Sequence, residues 1–229
     1  MKIRVNQIEL NRLTFQYRES GEPSAPPIVA LHALGKSAES WDQVAAVLGE
    51  EYRFIALDQR GHGGSAATST YTFELMCEDL LHFADAMDLE RFTLIGHSMG
   101  GTVAYLFSET YPSRVERLIV EDTPPPFPDK PFEIPSKPSD PLPFDWLVVP
   151  SILRQLNEPN PEWWARLTDI STPTLVIGGG SSHIPKNKLQ EVSELIPNCE
   201  LVTIKDAGHF VHDDSLPAFL TAVKRFLHS

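Results

Sequence analysis

Arg91-Phe92-Thr93-Leu94-Ile95-Gly96-His97-Ser98-Met99-Gly100-Gly101-Thr102-Val103-Ala104 is the stretch that decides the fold. A β-rich apolar run meets Gly-x-Ser-x-Gly and passes at once into a helical pattern. A serine hydroxyl is a poor nucleophile in water, so chemistry on it needs the side chain lifted clear, with a base and oxyanion donors beside it. A strand-turn-helix corner provides that lift. The serine then takes a positive φ, and the residues two before and two after must be small, which Gly96 and Gly100 are. Gly101 and Ala104 let the new helix approach the strands. Ser98 is the candidate nucleophile, and by the geometry of such an elbow the Met99 amide is a candidate oxyanion donor.

Working outward, residues 3–10 and 13–18 read as an antiparallel hairpin turning at Asn11-Arg12. Apolar runs at 28–31, 54–57, 92–95, 117–121, 174–178 and 201–204 read as buried, mainly parallel strands. Helical patterns lie between them, near 40–49, 72–87, 100–110 and 186–196. In a last helix, Ser215 can cap, Pro217 sits in the first turn, and Leu216, Phe219, Leu220, Val223 and Leu227 share a face. Such alternation predicts an α/β fold, a doubly wound, mainly parallel sheet that binds ligands at the C-terminal ends of its strands.

One segment breaks the alternation. Ten of the 20 prolines lie between Pro124 and Pro150, so most of residues 123–169 must run extended, with helix only near 146–156 and 161–168. That insertion also carries Trp146, Trp163, Trp164, Phe127, Phe132 and Phe144. Its aromatic content argues against a disordered linker and predicts a compact apolar pocket, with Trp146, Phe144 and Trp163 as candidate substrate contacts. The expected division is therefore a core of residues 1–122 and 170–229, with 123–169 as a cap.

The chain has 229 residues, enough for one such domain, and a formal net charge of −12, which disfavours nucleic acid and anionic membrane as partners. No apolar stretch near the N-terminus suits a signal peptide or a span, so a cytoplasmic protein acting on a small molecule is expected. Cys77 and Cys199 form neither a disulfide framework nor a metal motif. Neither a metal nor another cofactor is expected.

Four motifs in order carry a resemblance to the α/β-hydrolase superfamily from about residue 28 onward. His32-Ala33-Leu34-Gly35 follows the run 28–31 and resembles the family's oxyanion loop. Asp58-Gln59-Arg60-Gly61-His62-Gly63-Gly64-Ser65 is similar to its Asp-x-Arg-Gly-x-Gly-x-Ser turn. The elbow at Ser98 is third, and Ala207-Gly208-His209-Phe210 resembles the loop bearing the catalytic histidine. The resemblance implies His209 as general base, the Leu34 amide as second oxyanion donor, and a cap at the insertion. Neutral imidazole suits that base near pH 7. His32, His62 and His97 are expected to brace turns, and His212 to face solvent or support His209. At position 33 the sequence departs from the usual glycine.

The acid departs furthest. The family commonly supplies it after the strand at 174–177, yet that loop reads Gly178-Gly179-Gly180-Ser181-Ser182-His183-Ile184-Pro185, without a carboxylate. Some members place it one strand earlier, where this chain has Asp122; Glu121 should point to the opposite face. Asp206 is the remaining rival. The expected chemistry is acyl transfer by Ser98, His209 and Asp122 on an apolar carboxylic ester, lactone or thioester. Serine at 98 argues against the epoxide and haloalkane chemistries, which use a carboxylate nucleophile. Carbon–carbon bond hydrolysis, cofactor-free perhydrolysis, and a receptor retaining a hydrolase pocket stay open.

Overall fold

A computed structural model describes residues 2–229. The strands are β1 (Arg4–Leu10), β2 (Leu13–Ser20), β3 (Pro27–Leu31), β4 (Arg53–Leu57), β5 (Phe92–His97), β6 (Val115–Glu121), β7 (Thr174–Gly179) and β8 (Cys199–Ile204). They form one sheet in the order β1-β2-β4-β3-β5-β6-β7-β8. The hairpin β1–β2 turns through Asn11 and Arg12, at φ 50° and 68°, and pairs antiparallel with β4; every later pairing is parallel.

Alternation along each strand divides the core between two faces. Val29, Leu31, Leu94, Val120 and Val176 join one apolar cluster, which includes Leu80 and Phe83 of α2 (Phe73–Ala86), Phe107 of α3 (Met99–Thr110) and Val192 of α6 (Lys186–Leu195). Ile28, Ala30, Ile95, Ile119 and Ile177 join the other, with Leu48 of α1 (Asp42–Leu48) and Phe219, Val223 and Phe226 of α8 (Leu216–Leu227). Burial on both faces explains why these strands read as continuous apolar runs. Ser215 does stand before α8, but its hydroxyl makes no capping bond there, and Pro217 in the first turn supplies the preset φ.

The chain leaves β3 toward β4 on one side and returns to β5 on the other. The crevice at this reversal, beyond the strand ends, is where an open α/β sheet offers a ligand site. The turns after β3 and β5 both open there.

Between β6 and β7 the regular elements are α4 (Val148–Asn157), α5 (Glu162–Ala165) and a 3₁₀ turn at Arg166–Asp169. Thr123–Pro126 are buried, whereas residues 128–141 are all exposed and form neither helix nor strand. Hydrogen bonds tie the insertion down, among them two between Gln155 and the backbone of Tyr71 and Phe73. Asn157 brackets Phe132 by accepting from its amide at 2.7 Å and donating to its carbonyl at 2.9 Å. The Trp164 indole donates to the Pro126 carbonyl at 2.9 Å, and the Asp145 amide to the Gly61 carbonyl at 2.7 Å.

Candidate active site

Ser98 links β5 to α3 with φ 53° and ψ −116°. The surrounding glycines are sterically required. A Cβ on Gly96 would stand 2.3 Å from the Gly100 carbonyl oxygen, and one on Gly100 would stand 2.5 Å from that of Leu31. Any side chain there would push the helix off the strand and lower the serine back among its neighbours.

His209 lies on the loop between β8 and a one-turn helix, α7 (Val211–Asp214). Its Nδ1–H donates to Asp122 Oδ2 at 2.8 Å, and its side chain is 16% exposed on the cavity side. Asp122 is wholly buried one residue beyond β6, at φ 48°, a left-handed conformation that Asp tolerates better than most residues. Its amide donates to the Ile177 carbonyl at 2.7 Å, Oδ1 accepts the Gly179 amide at 2.8 Å, and Oδ2 also accepts the Ser182 hydroxyl. The carboxylate thus has one fixed pose. Gly179 ends β7 and Ser182 lies in the loop after it, where the family's acid more commonly stands, so here this strand end and loop supply donors to a carboxylate arriving from the neighbouring strand. Among the described residues, Asp206 makes no hydrogen bond or ion pair with the imidazole.

The Met99 and Leu34 amides donate to no protein acceptor among the described residues, as oxyanion donors require. The turn holding Leu34 is set by two imidazoles. His32 Nδ1–H donates to the Ala33 carbonyl at 2.8 Å while its Nε2 accepts the Gln59 amide at 3.0 Å. His62 Nδ1–H donates to the Arg60 carbonyl at 3.1 Å while its Nε2 accepts the Gly35 amide at 3.1 Å. Each partner set admits one neutral tautomer. Burial reinforces this, pushing His32 down to about 4 and His62 to about 3. Ala33 is not among the residues of positive φ; the left-handed residue of this turn is Gly35, at 75°. That explains why alanine stands where glycine is usual.

Ser98, His209, Leu34 and Met99 line one cavity of about 320 Å³, together with Pro124, Pro125, Pro126, Phe127, Phe132, Ile152, Leu156 and His183. Its wall is predominantly apolar. Trp146, Phe144 and Trp163, expected as substrate contacts, are not part of it. Phe144 stacks on His62 with ring centroids 5.7 Å apart and so backs the oxyanion turn. Trp163 is buried edge-on against Phe73 at 5.5 Å, sealing the insertion to the core, and Trp146 is partly buried outside the cavity wall. The aromatic count identified the segment, but an irregular backbone hides which rings turn inward.

Of the two places expected for His212, the structure excludes the solvent-facing one. The residue is only 1% exposed, and Glu121 on the opposite face from Asp122 holds it. His183 escaped sequence reading altogether; its ring lies 4.8 Å from that of His209, and burial, with the neighbouring imidazole, lowers its affinity for a proton. The two cysteines are unpaired, and burial pushes both thiols up to about 12, away from reactivity.

The family described as alpha/beta hydrolase fold matches residues 26–147. The chain belongs to this family, and in general class it is a serine hydrolase. It is 28% identical to an sn-1-specific diacylglycerol lipase of Danio rerio, over 90% of this chain and 80% of that protein. It is likewise 28% identical to a putative esterase/lipase of Haemophilus influenzae, over 94% of this chain and 88% of that one. Among solved structures, a thioesterase domain from the curacin biosynthetic pathway superposes with a TM-score of 0.86 at 18% identity, covering 98% of this chain and all of that domain. No helix among the described residues is long and apolar enough to cross a membrane.

Proposed function

We propose that this enzyme cleaves small, largely apolar carboxylic esters, lactones or thioesters through an acyl-enzyme on Ser98. The observation that carries the reading is the 2.8 Å bond from His209 to the buried Asp122, with His209 and the strained Ser98 facing one apolar cavity. His209 Nε2 takes the Ser98 Oγ proton as Oγ attacks the carbonyl carbon. The Met99 and Leu34 amides receive the oxyanion. Collapse expels the alcohol or thiol, which leaves with the proton His209 held; water, deprotonated by the same imidazole, then releases the acid. Asp122 fixes the tautomer and offsets the imidazolium charge. Phe127, Phe132, Pro124, Ile152 and Leu156 would receive the apolar acyl or alkyl group.

A fluorophosphonate probe should label Ser98, and Ser98→Ala should abolish labelling and ester turnover without lowering thermal stability. With p-nitrophenyl esters from acetate to octanoate, kcat/KM should climb until the cavity is filled, each methylene that fits contributing up to about 0.8 kcal/mol. Labelling at another serine with activity intact in Ser98→Ala, or a flat chain-length profile, would contradict the proposal.

A further inference from the structure

Glu121 and Asp122 end the same strand and grip the same loop from opposite sides. Asp122 takes the His209 side chain. Glu121 takes the backbone beyond it: Oε1 accepts the His212 amide at 2.9 Å, and Oε2 accepts His212 Nδ1–H at 2.6 Å. On β5, His97 is registered with Glu121, so their side chains share a face. Its Nε2–H donates to the His209 carbonyl at 2.8 Å. The loop bearing the base is thereby tied down at residues 209 and 212 by groups that never reach the cavity.

Glu121 is fully buried, His97 and His212 are each 1% exposed, and the Trp41 indole lies flat on His212 with ring centroids 4.4 Å apart. A charged carboxylate in such surroundings needs a cation. Burial alone would raise the Glu121 carboxyl, but the two imidazoles and the bonds from His212 hold it below its ordinary value. Burial would lower His212, yet Glu121, then Asp213 and the Ser40 carbonyl, raise it. Burial takes His97 down to about 4, against the pull of Glu121, and leaves it a neutral donor. These groups, with the Phe219 ring of α8, are what the elements packed around His212 present to it.

We propose that Glu121, His212 and His97 are positioning residues that hold His209 at the distance and angle from which it serves Ser98. The proposal rests on the serine-hydrolase reading above. It explains two adjacent buried acids at one strand end: one orients the imidazole and the other anchors its backbone. A near-attack geometry is sensitive to displacements of about 1 Å, which can cost on the order of 10²-fold in rate.

The test uses the whole chain. In the wild type, histidine ¹⁵N–¹H spectra at neutral pH should show a downfield, slowly exchanging Nδ1 proton for His212, bound to Glu121, and another for His209, assigned by its loss in Asp122→Asn. Glu121→Gln and His97→Phe should broaden or shift that His209 proton and lower kcat by roughly 10- to 100-fold, with KM changed less than about twofold. Variants that keep both the His209 signal and wild-type kcat would overturn the proposal, as would a wild-type His212 whose Nδ1 proton exchanges freely with solvent. That wild-type measurement decides the matter even if a variant fails to fold. The parent reading fails separately, if wild-type Ser98 takes no phosphonate and turns over no ester; the His209 signal then still reports on the clamp.

Discussion

The two halves of the active-site cavity are built on opposite principles. The half formed by the strand ends is over-determined: Asp122 receives three donors and spends its own amide on Ile177, while His32 and His62 each have both ring nitrogens occupied. The half formed by the insertion joins α4, which contributes Ile152 and Leu156, to an exposed stretch without helix or strand over residues 128–141, with Phe132 51% exposed at the cavity edge. Buried, satisfied polar groups lock geometry, because moving any one orphans another. An exposed stretch without regular structure has no such penalty. Under the proposed function, this difference assigns the chemistry to the core and the choice of substrate to the cover.

The sharpest break of that comparison is Asp122→Asn. The amide keeps the shape but loses the charge and one acceptor position, so His209 loses tautomer control and its imidazolium loses a counter-charge. Ester turnover should fall by roughly 10²- to 10⁴-fold with the melting temperature little changed. Asp206→Asn should leave kcat within about twofold. A large loss at Asp206 with little at Asp122 would mean the acid is misassigned.

A smaller effect should follow from His62→Phe. The Gly35 amide loses its acceptor, and the turn presenting Leu34 loosens while the donor itself remains. We expect kcat to drop roughly tenfold at unchanged KM, short of the ~10²- to 10³-fold seen when an oxyanion donor is removed outright. An equal rise in KM would shift His62 from the reaction half to the binding half.

On the cover side, Phe127→Ala enlarges the apolar wall. It should lower kcat/KM several-fold for short acyl chains and move the optimum toward longer ones, with phosphonate labelling of Ser98 still occurring. An unchanged profile would show that the cover does not select.

The same contrast governs what could be read from the sequence. Strands buried on both faces declare themselves as apolar runs, and the elbow by its glycines, so β3 to β8 and the corner at Ser98 were legible to within a residue or two. The pairing of Asp122 with His209 was expected from the family resemblance, which offers that strand end where the loop at 178–185 has no carboxylate. That Ser182 and Gly179 donate to Asp122 was not, since hydroxyls and backbone amides occur everywhere and only the β6–β7 register brings these together. Whether His212 faces solvent or supports His209 was not legible for a similar reason: its partner lies 91 positions earlier. The cover defeated the reading most, because without a helical or strand period nothing tells which of six aromatics faces inward. Phe127 and Phe132 do; Phe144, Trp146 and Trp163 do not.

The smallest effect on activity is expected where the two halves join, at Glu109 near the end of α3. Arg166, in the insertion's last turn, donates to the Glu109 carbonyl at 2.9 Å, but neither side-chain oxygen of this 5% exposed glutamate finds a hydrogen-bond partner among the described residues. Burial drives its carboxyl up to about 8, with Arg166 only partly opposing. The folded state therefore holds a proton that the unfolded chain releases near its ordinary value, and stability attributable to this group is complete at low pH and declines as pH rises toward 8. Glutamine cannot ionise. Glu109→Gln should leave kcat/KM within about twofold near pH 6, while its stability relative to wild type improves with pH by on the order of 3 kcal/mol across that window. Urea unfolding of both proteins at about pH 5, 6, 7, 8 and 9 measures it. Parallel stability curves would mean the glutamate is hydrated or ionised in the folded state, and that the seam between core and cover is wetter than its burial indicates.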